Sequence, residues 1–207
     1  MSLTKRNRFI PLLCCLSALL GIGSANAQIN SKGLLGMQLS DALKTEFFNW
    51  FHLRETDRHT EDGNNTVVIF KPEGESVRDF VTLYVSINAQ REITSLRLDL
   101  SRTFADDNRS TGMLARDISK SLLLDAVPDA DQAFIRDLAT AIAAPPKNSR
   151  TIVLTQKPVK QPDPRTPGYQ AFVGNESKFS KEYTHCSVTI ENITQNGEPT
   201  LEITVAD

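Results

Sequence analysis

Three stretches of this chain alternate apolar and polar residues with a period of two. Val81, Leu83, Val85 and Ile87 are separated by Thr82, Tyr84 and Ser86. Leu96, Leu98 and Leu100 are separated by Arg97 and Asp99, and Leu201, Ile203 and Val205 by Glu202 and Thr204. Successive side chains of a strand point to opposite faces, so each stretch has one apolar and one polar side. This pattern needs a sheet with one face on a core and the other toward water, an arrangement typical of antiparallel sheets. The run at residues 66–70, halted by Pro72, adds a strand, and the short connections make residues 66–101 a three-stranded antiparallel meander.

The segments between the strands read as helices. Leu114, Ile118 and Leu122 recur at steps of four after Ser110 or Thr111, either of which can cap a helix. Phe134, Leu138 and Ile142 do the same after Asp129, which with Gln132 resembles a capping box. Proline at 145 and 146 ends the second of these helices. Beyond it, residues 151–155, 169–173 and 183–190 read as strands, and Asn196-Gly197 forms the turn before the last strand. The order is α-βββ-αα-ββββ. Helices are grouped instead of alternating with strands, which defines an α+β fold with an antiparallel sheet and helices on one face.

Ahead of the meander, Ser40-Asp41 starts a helix whose apolar side is Leu43, Phe47, Trp50 and Phe51, broadened by Phe48, and which ends near His52 or Leu53. Four aromatic residues on so short a helix have two uses. They plug the concave side of the sheet, or Phe47, Phe48, Trp50 and Phe51 leave an exposed docking patch for a protein or peptide partner. Leu35-Gly36-Met37-x-Leu39, just before, resembles the opening of small α+β domains in bacterial envelope proteins, which implies a periplasmic setting.

The first 27 residues have the three parts of a secretory signal: Lys5, Arg6 and Arg8, an apolar run over residues 9–22, and an ending at Ala25-Asn-Ala27. Cleavage is expected after Ala27. The run is shorter than the roughly 20 residues of a membrane-spanning helix, so no stable anchor is expected in the mature chain. Cys14 and Cys15 lie too early in the run for a lipidated cysteine and leave with the signal. Taking three cations from the 23 Lys and Arg leaves 20 against 25 Asp and Glu, a balance that gives no support to nucleic-acid binding. Residues 28–207 suit one α+β domain, or two lobes near 34–104 and 110–207.

The mature chain would keep one thiol, Cys186, directly after His185 in the segment KEYTHCSVTI. On a strand those neighbours face opposite ways. Cys186 travels with Val188 and Ile190 into the core, so the pair supplies neither a nucleophile with its base nor two converging metal ligands. His52, Glu55 and His59 are read as exposed polar loop residues, because a helix would hold the two histidines about 10 Å apart, too far for one ion. Asp106, Asn108, Ser110 and Asp117 match four positions of a calcium loop, but Thr111 stands where that loop needs glycine. Pro164-Arg-Thr-Pro167 belongs to a stiff polyproline-like loop, and N-x-S/T sequons begin at Asn64, Asn108, Asn175 and Asn192.

No G-x-S-x-G, H-E-x-x-H, phosphate loop or C-x-x-C occurs. No catalytic residue, metal ligand or cofactor is therefore assigned. The expectation is an exported, periplasmic, non-catalytic protein that binds a partner or assists envelope assembly. The alternative is a small hydrolase in which groups such as His185, Asp99 and Glu191 converge only on folding.

Overall fold

The alternating runs become the centre of one antiparallel sheet. The computed structural model describes residues 33–61, 65–107, 110–144 and 166–207. Within them lie β1 (Leu53–Thr60), β2 (Thr66–Pro72), β3 (Val81–Ile87), β4 (Ile93–Ser101), β5 (Lys178–Glu182), β6 (Ser187–Gln195) and β7 (Glu198–Ala206). They form a seven-stranded sheet in the order β1-β2-β3-β4-β7-β6-β5, with every neighbouring pair antiparallel. The fold is α+β. Because β4 pairs with β7, the strands before the helices and the strands after them share one sheet.

Register carries the sequence alternation across the whole sheet. Leu83 lies opposite Leu98, Leu98 opposite Ile203, and Ile203 opposite Ile190. All four are buried in the core cluster, together with residues of α5 (Ser110–Ala126) and α6 (Asp129–Ala143) such as Ile118, Leu122, Leu138 and Ile142. The polar partners fall on the other face: Tyr84 opposite Arg97 opposite Thr204 opposite Thr189, and Thr82 opposite Asp99 opposite Glu202 opposite Glu191.

Several expected elements take another form. The aromatic helix is two short helices, α1 (Leu39–Ala42) and α2 (Glu46–Trp50). Thr45 causes the break: its hydroxyl donates to the Ala42 carbonyl at 2.6 Å, closing α1, and its extended backbone then serves as the N-cap of α2. The start at Ser40-Asp41 is moved to Gln38. The polar segment 54–65 is largely a strand, so His59 lies on β1 and not in a loop. β1 is an edge strand, exposed along its length apart from Leu53, and so shows no apolar alternation. Two further short helices, α3 (Glu75–Arg78) and α4 (Arg102–Ala105), flank β3 and β4.

The capping box at Asp129 does not form. Pro128 is the N-cap of α6, and the Gln132 amide donates to the Leu124 carbonyl at 2.9 Å, tying α6 to the end of α5. Residues 169–173 are not a strand: they are the end of α7 (Pro167–Phe172) and its C-cap Val173, where proline at the first position is preset for a helix and the Asn192 amide donates to the Ala171 carbonyl. The expected strand over 183–190 starts only at Ser187. Tyr183–Cys186 make the turn between β5 and β6, closed by the Tyr183 N–H donating to the Cys186 carbonyl at 2.8 Å. Asn196 and Gly197 do form the last hairpin turn, with φ of 53° and 85°, the paired positive values that a tight hairpin demands. The expected strand at 151–155 and the signal segment lie outside the described residues.

Candidate functional site

Arg97 and Asp99 are on the polar face only because leucines on either side hold the opposite face in the core. Arg97 is stacked on the neighbouring strand, its guanidinium carbon 3.9 Å from the centre of the Tyr84 ring, in cation–π geometry. Its Nε is 3.3 Å from Asp99 Oδ1 and 3.8 Å from Glu202 Oε2, the second contact running diagonally between β4 and β7. One cation is thus shared by two carboxylates. The Thr204 hydroxyl also donates to Glu202 at 3.3 Å.

Asp99 is the anomaly in this group. It is only 5% exposed, on the face that the strand pattern assigns to solvent. Neither of its oxygens, nor Arg97 Nε, makes a hydrogen bond of proper geometry. Burial drives the Asp99 carboxyl up to about 6. Arg97 pulls it back, Glu202 pushes it further, and the nearby Gln195 amide favours the charged form without completing a bond. A buried carboxylate titrating near neutrality is a recognised mark of a functional position.

A second buried carboxylate lies at the turn that contains His185. Asp131, in the first turn of α6, is 1% exposed and accepts N–H bonds from His185 at 2.9 Å and Thr184 at 3.4 Å. Burial alone would raise its carboxyl, but these N–H groups and the adjacent imidazole outweigh that and hold it below its usual range. His185 Nδ1 is 3.4 Å from the same carboxylate, while the imidazole itself is exposed. Cys186 is buried and free; burial, then the charges of Asp131 and Glu182, push its thiol up to about 11. Asp131 therefore fastens the β5–β6 turn to α6, and Cys186 behaves as a small apolar group.

The groups that a hydrolase would have to gather are in two places. Asp99 and Glu191 share a row of the polar face. Ser187 and Glu191 are four strand residues apart, roughly 13 Å, and His185 lies beyond Ser187. Of the aromatic set, Phe47, Phe48 and Phe51 are in the core, with Phe48 packed edge-on against Phe70 at 5.2 Å. Trp50 alone of the four faces solvent, at 76% exposure.

Other sequence candidates are occupied structurally. His59 approaches Glu61, and Glu55 pairs with Arg58. Asp106 pairs with Arg102 at 2.5 Å, the Thr111 hydroxyl donates to Asp107, and Asn108 lies outside the described residues. Among the described residues no group of three or more His, Cys, Asp or Glu could hold a metal ion. The Asn192 amide nitrogen, the atom a glycan would join, donates to the carbonyls of Ala171 and Glu176. Asn175 likewise donates to Gln170. Asn64 lies outside the described residues.

Strand alternation already marked Arg97, Asp99 and Glu202 as polar-face residues; their meeting required the β4–β7 pairing, which no local pattern reveals. Asp131 carried no sequence signal beyond its place in a helix first turn. Compared with protein-family models, curated proteins and solved structures, the chain matches none.

Proposed function

We propose that this is an exported, non-catalytic binding protein, periplasmic in a Gram-negative cell, which takes a protein or peptide partner on the polar face of its sheet around Arg97, Asp99 and Glu202. One observation carries the reading: a nearly buried carboxylate and a guanidinium nitrogen sit at the middle of that face with hydrogen-bonding capacity unspent. Such a group costs stability unless it is satisfied, and natural sequences tolerate that cost mainly at functional positions. The placement outside the cytosol rests on the amino-terminal signal pattern.

The hydrolase reading has one contact in its favour, the exposed His185 imidazole beside buried Asp131. The neighbouring thiol is buried and fully protonated at neutral pH, so that pair has no activated sulfur to work with.

The test is site-specific photocrosslinking in intact cells, with a photoreactive residue placed at Thr204 and, separately, at Trp50. Adducts are expected from Thr204, competed away by the unmodified protein and not by an Arg97→Ala form. Adducts from Trp50 alone would refute the polar-face reading. Mass spectrometry of the isolated protein gives the export arm: the expected first residue is Gln28, and an intact precursor in the cytosol would overturn it.

A further inference from the structure

The polar face carries three carboxylates side by side. Asp99 on β4 lies opposite Glu202 on β7, and Glu202 lies opposite Glu191 on β6. Neighbouring strands are about 4.8 Å apart, and like charges placed directly opposite each other destabilise a sheet. Two cations meet these three acids. Arg97 is divided between Asp99 and Glu202, and Lys178 on β5 places its Nζ 2.9 Å from Glu191. Beside them lie the uncharged Thr82 and Tyr84 on β3, Thr204 on β7, and Thr189 and Gln195 on β6; Lys71 on β2, next to the Phe70–Leu83 pair, is a further cation on this face, on the far side of β3 from Asp99. Three carboxylates thus share two cations in direct contact.

Access is at the middle of the row. Asp99 is enclosed, but the Glu202 side chain is 21% exposed and the Glu191 side chain 33%, with the Thr189 and Thr204 hydroxyls beside them. A metal ion does not suit the place, since no three of these groups converge to ligand distance. An organic cation does: its N–H donors reach two carboxylates and a hydroxyl without that convergence. Small ligands bind in enclosing pockets, whereas this is a strand face, which suits a side chain delivered by a larger partner.

We infer that the partner presents a lysine or arginine side chain, from an extended polypeptide segment, which seats over Glu202 between Asp99 and Glu191. This rests on the polar-face reading above and adds the chemistry of what is recognised. The seated cation supplies a third contact charge for the three acids. It also favours the ionised form of Asp99, so binding releases a proton from that carboxyl and tightens as pH rises.

The test is an NMR titration of the labelled mature chain at low salt, with millimolar acetyl-Ala-Lys-Ala-amide and its norleucine counterpart as probes. The lysine peptide is expected to shift the amide signals of Asp99, Glu191 and Glu202, with the norleucine peptide and a Glu202→Gln protein each about fivefold weaker. Saturation with the lysine peptide should lower the Asp99 titration midpoint, which a purely structural carboxylate would not show. Equal shifts from both peptides on this face would overturn the cation and leave the docking face standing. Shifts confined to the region of Trp50, or none from either peptide, would overturn the cation seat, and the Thr204 crosslink then decides the docking face on its own.

Discussion

Replacing Asp99 by asparagine should stabilise the protein at neutral pH. The carboxyl titrates near 3.8 in the unfolded chain and at about 6 in the fold. The folded state therefore binds this proton more tightly, and the stability it brings is complete below about pH 3.8 and lost as pH rises through about 6. At 1.36 kcal/mol per pH unit, that difference amounts to roughly 3 kcal/mol missing at pH 7. Asparagine keeps the shape and removes the charge. The gain of Asp99→Asn over the wild type should grow from near zero at about pH 4 to about 1–3 kcal/mol at pH 7, the lower end allowing for the lost Arg97 contact. For a chain of this size that is an increase in Tm of several degrees. Urea unfolding of both proteins across this range isolates the effect, because other carboxylates cancel in the difference. A difference that stays flat with pH, or a wild type that remains more stable at pH 7, would refute the burial argument. It would also remove the observation on which the functional reading rests.

Three more outcomes follow from the same structure. Cys186, with a thiol at about 11, should label about 200 times more slowly at pH 8 in the native protein than an ordinary cysteine, and readily in urea, as read by mass spectrometry of its peptide. Asp131→Ala should cost about 2 kcal/mol at pH 7 by freeing the N–H groups of Thr184 and His185. Because the folded carboxyl lies below its usual range, this contribution is present above the unfolded value and lost as pH falls through the folded one, so the penalty should shrink in acid unfolding experiments. Trp50→Ala should change stability by less than about 0.5 kcal/mol, whereas Phe48→Ala should cost about 3–5 kcal/mol in denaturant titration, and similar losses at both would contradict the exposed placement of Trp50.

The strands that could be read from the sequence are those with one face in the core. β3, β4 and β7 announce themselves because each has neighbours on both sides and helices on one face, which forces alternation. The two edge strands do not. β1 is RETDRHT after its first leucine and β5 is KFSKE, so neither has an apolar face to reveal a period of two. Charged edges are how sheets avoid pairing with other chains, and the property that protects them also hides them. Misreading α7 as a strand has a related cause: six residues are too few to separate the two periods, and Pro167 and the Asn192 cap decide the matter from outside the segment.

The site shows the same limit at closer range. Arg97, Asp99 and Glu202 were each visible as polar-face residues, and nothing local says that two carboxylates 103 positions apart share one guanidinium. That fact comes from the β4–β7 register, which in turn is set by the leucines and isoleucines on the opposite face. A slip of one residue there would bury Glu202 against α5 and bring Ile203 to water. The packing of the core therefore fixes the spacing of the charges from the opposite face of the sheet. It follows that a conservative core change in β7, such as Ile203→Val, should leave the titration of Asp99 in place while lowering stability by about 0.5–1.5 kcal/mol. A marked shift of the Asp99 midpoint in that variant would mean that losing one methylene from the core already changes the spacing of β4 and β7, so that the register does not hold the charges as firmly as argued.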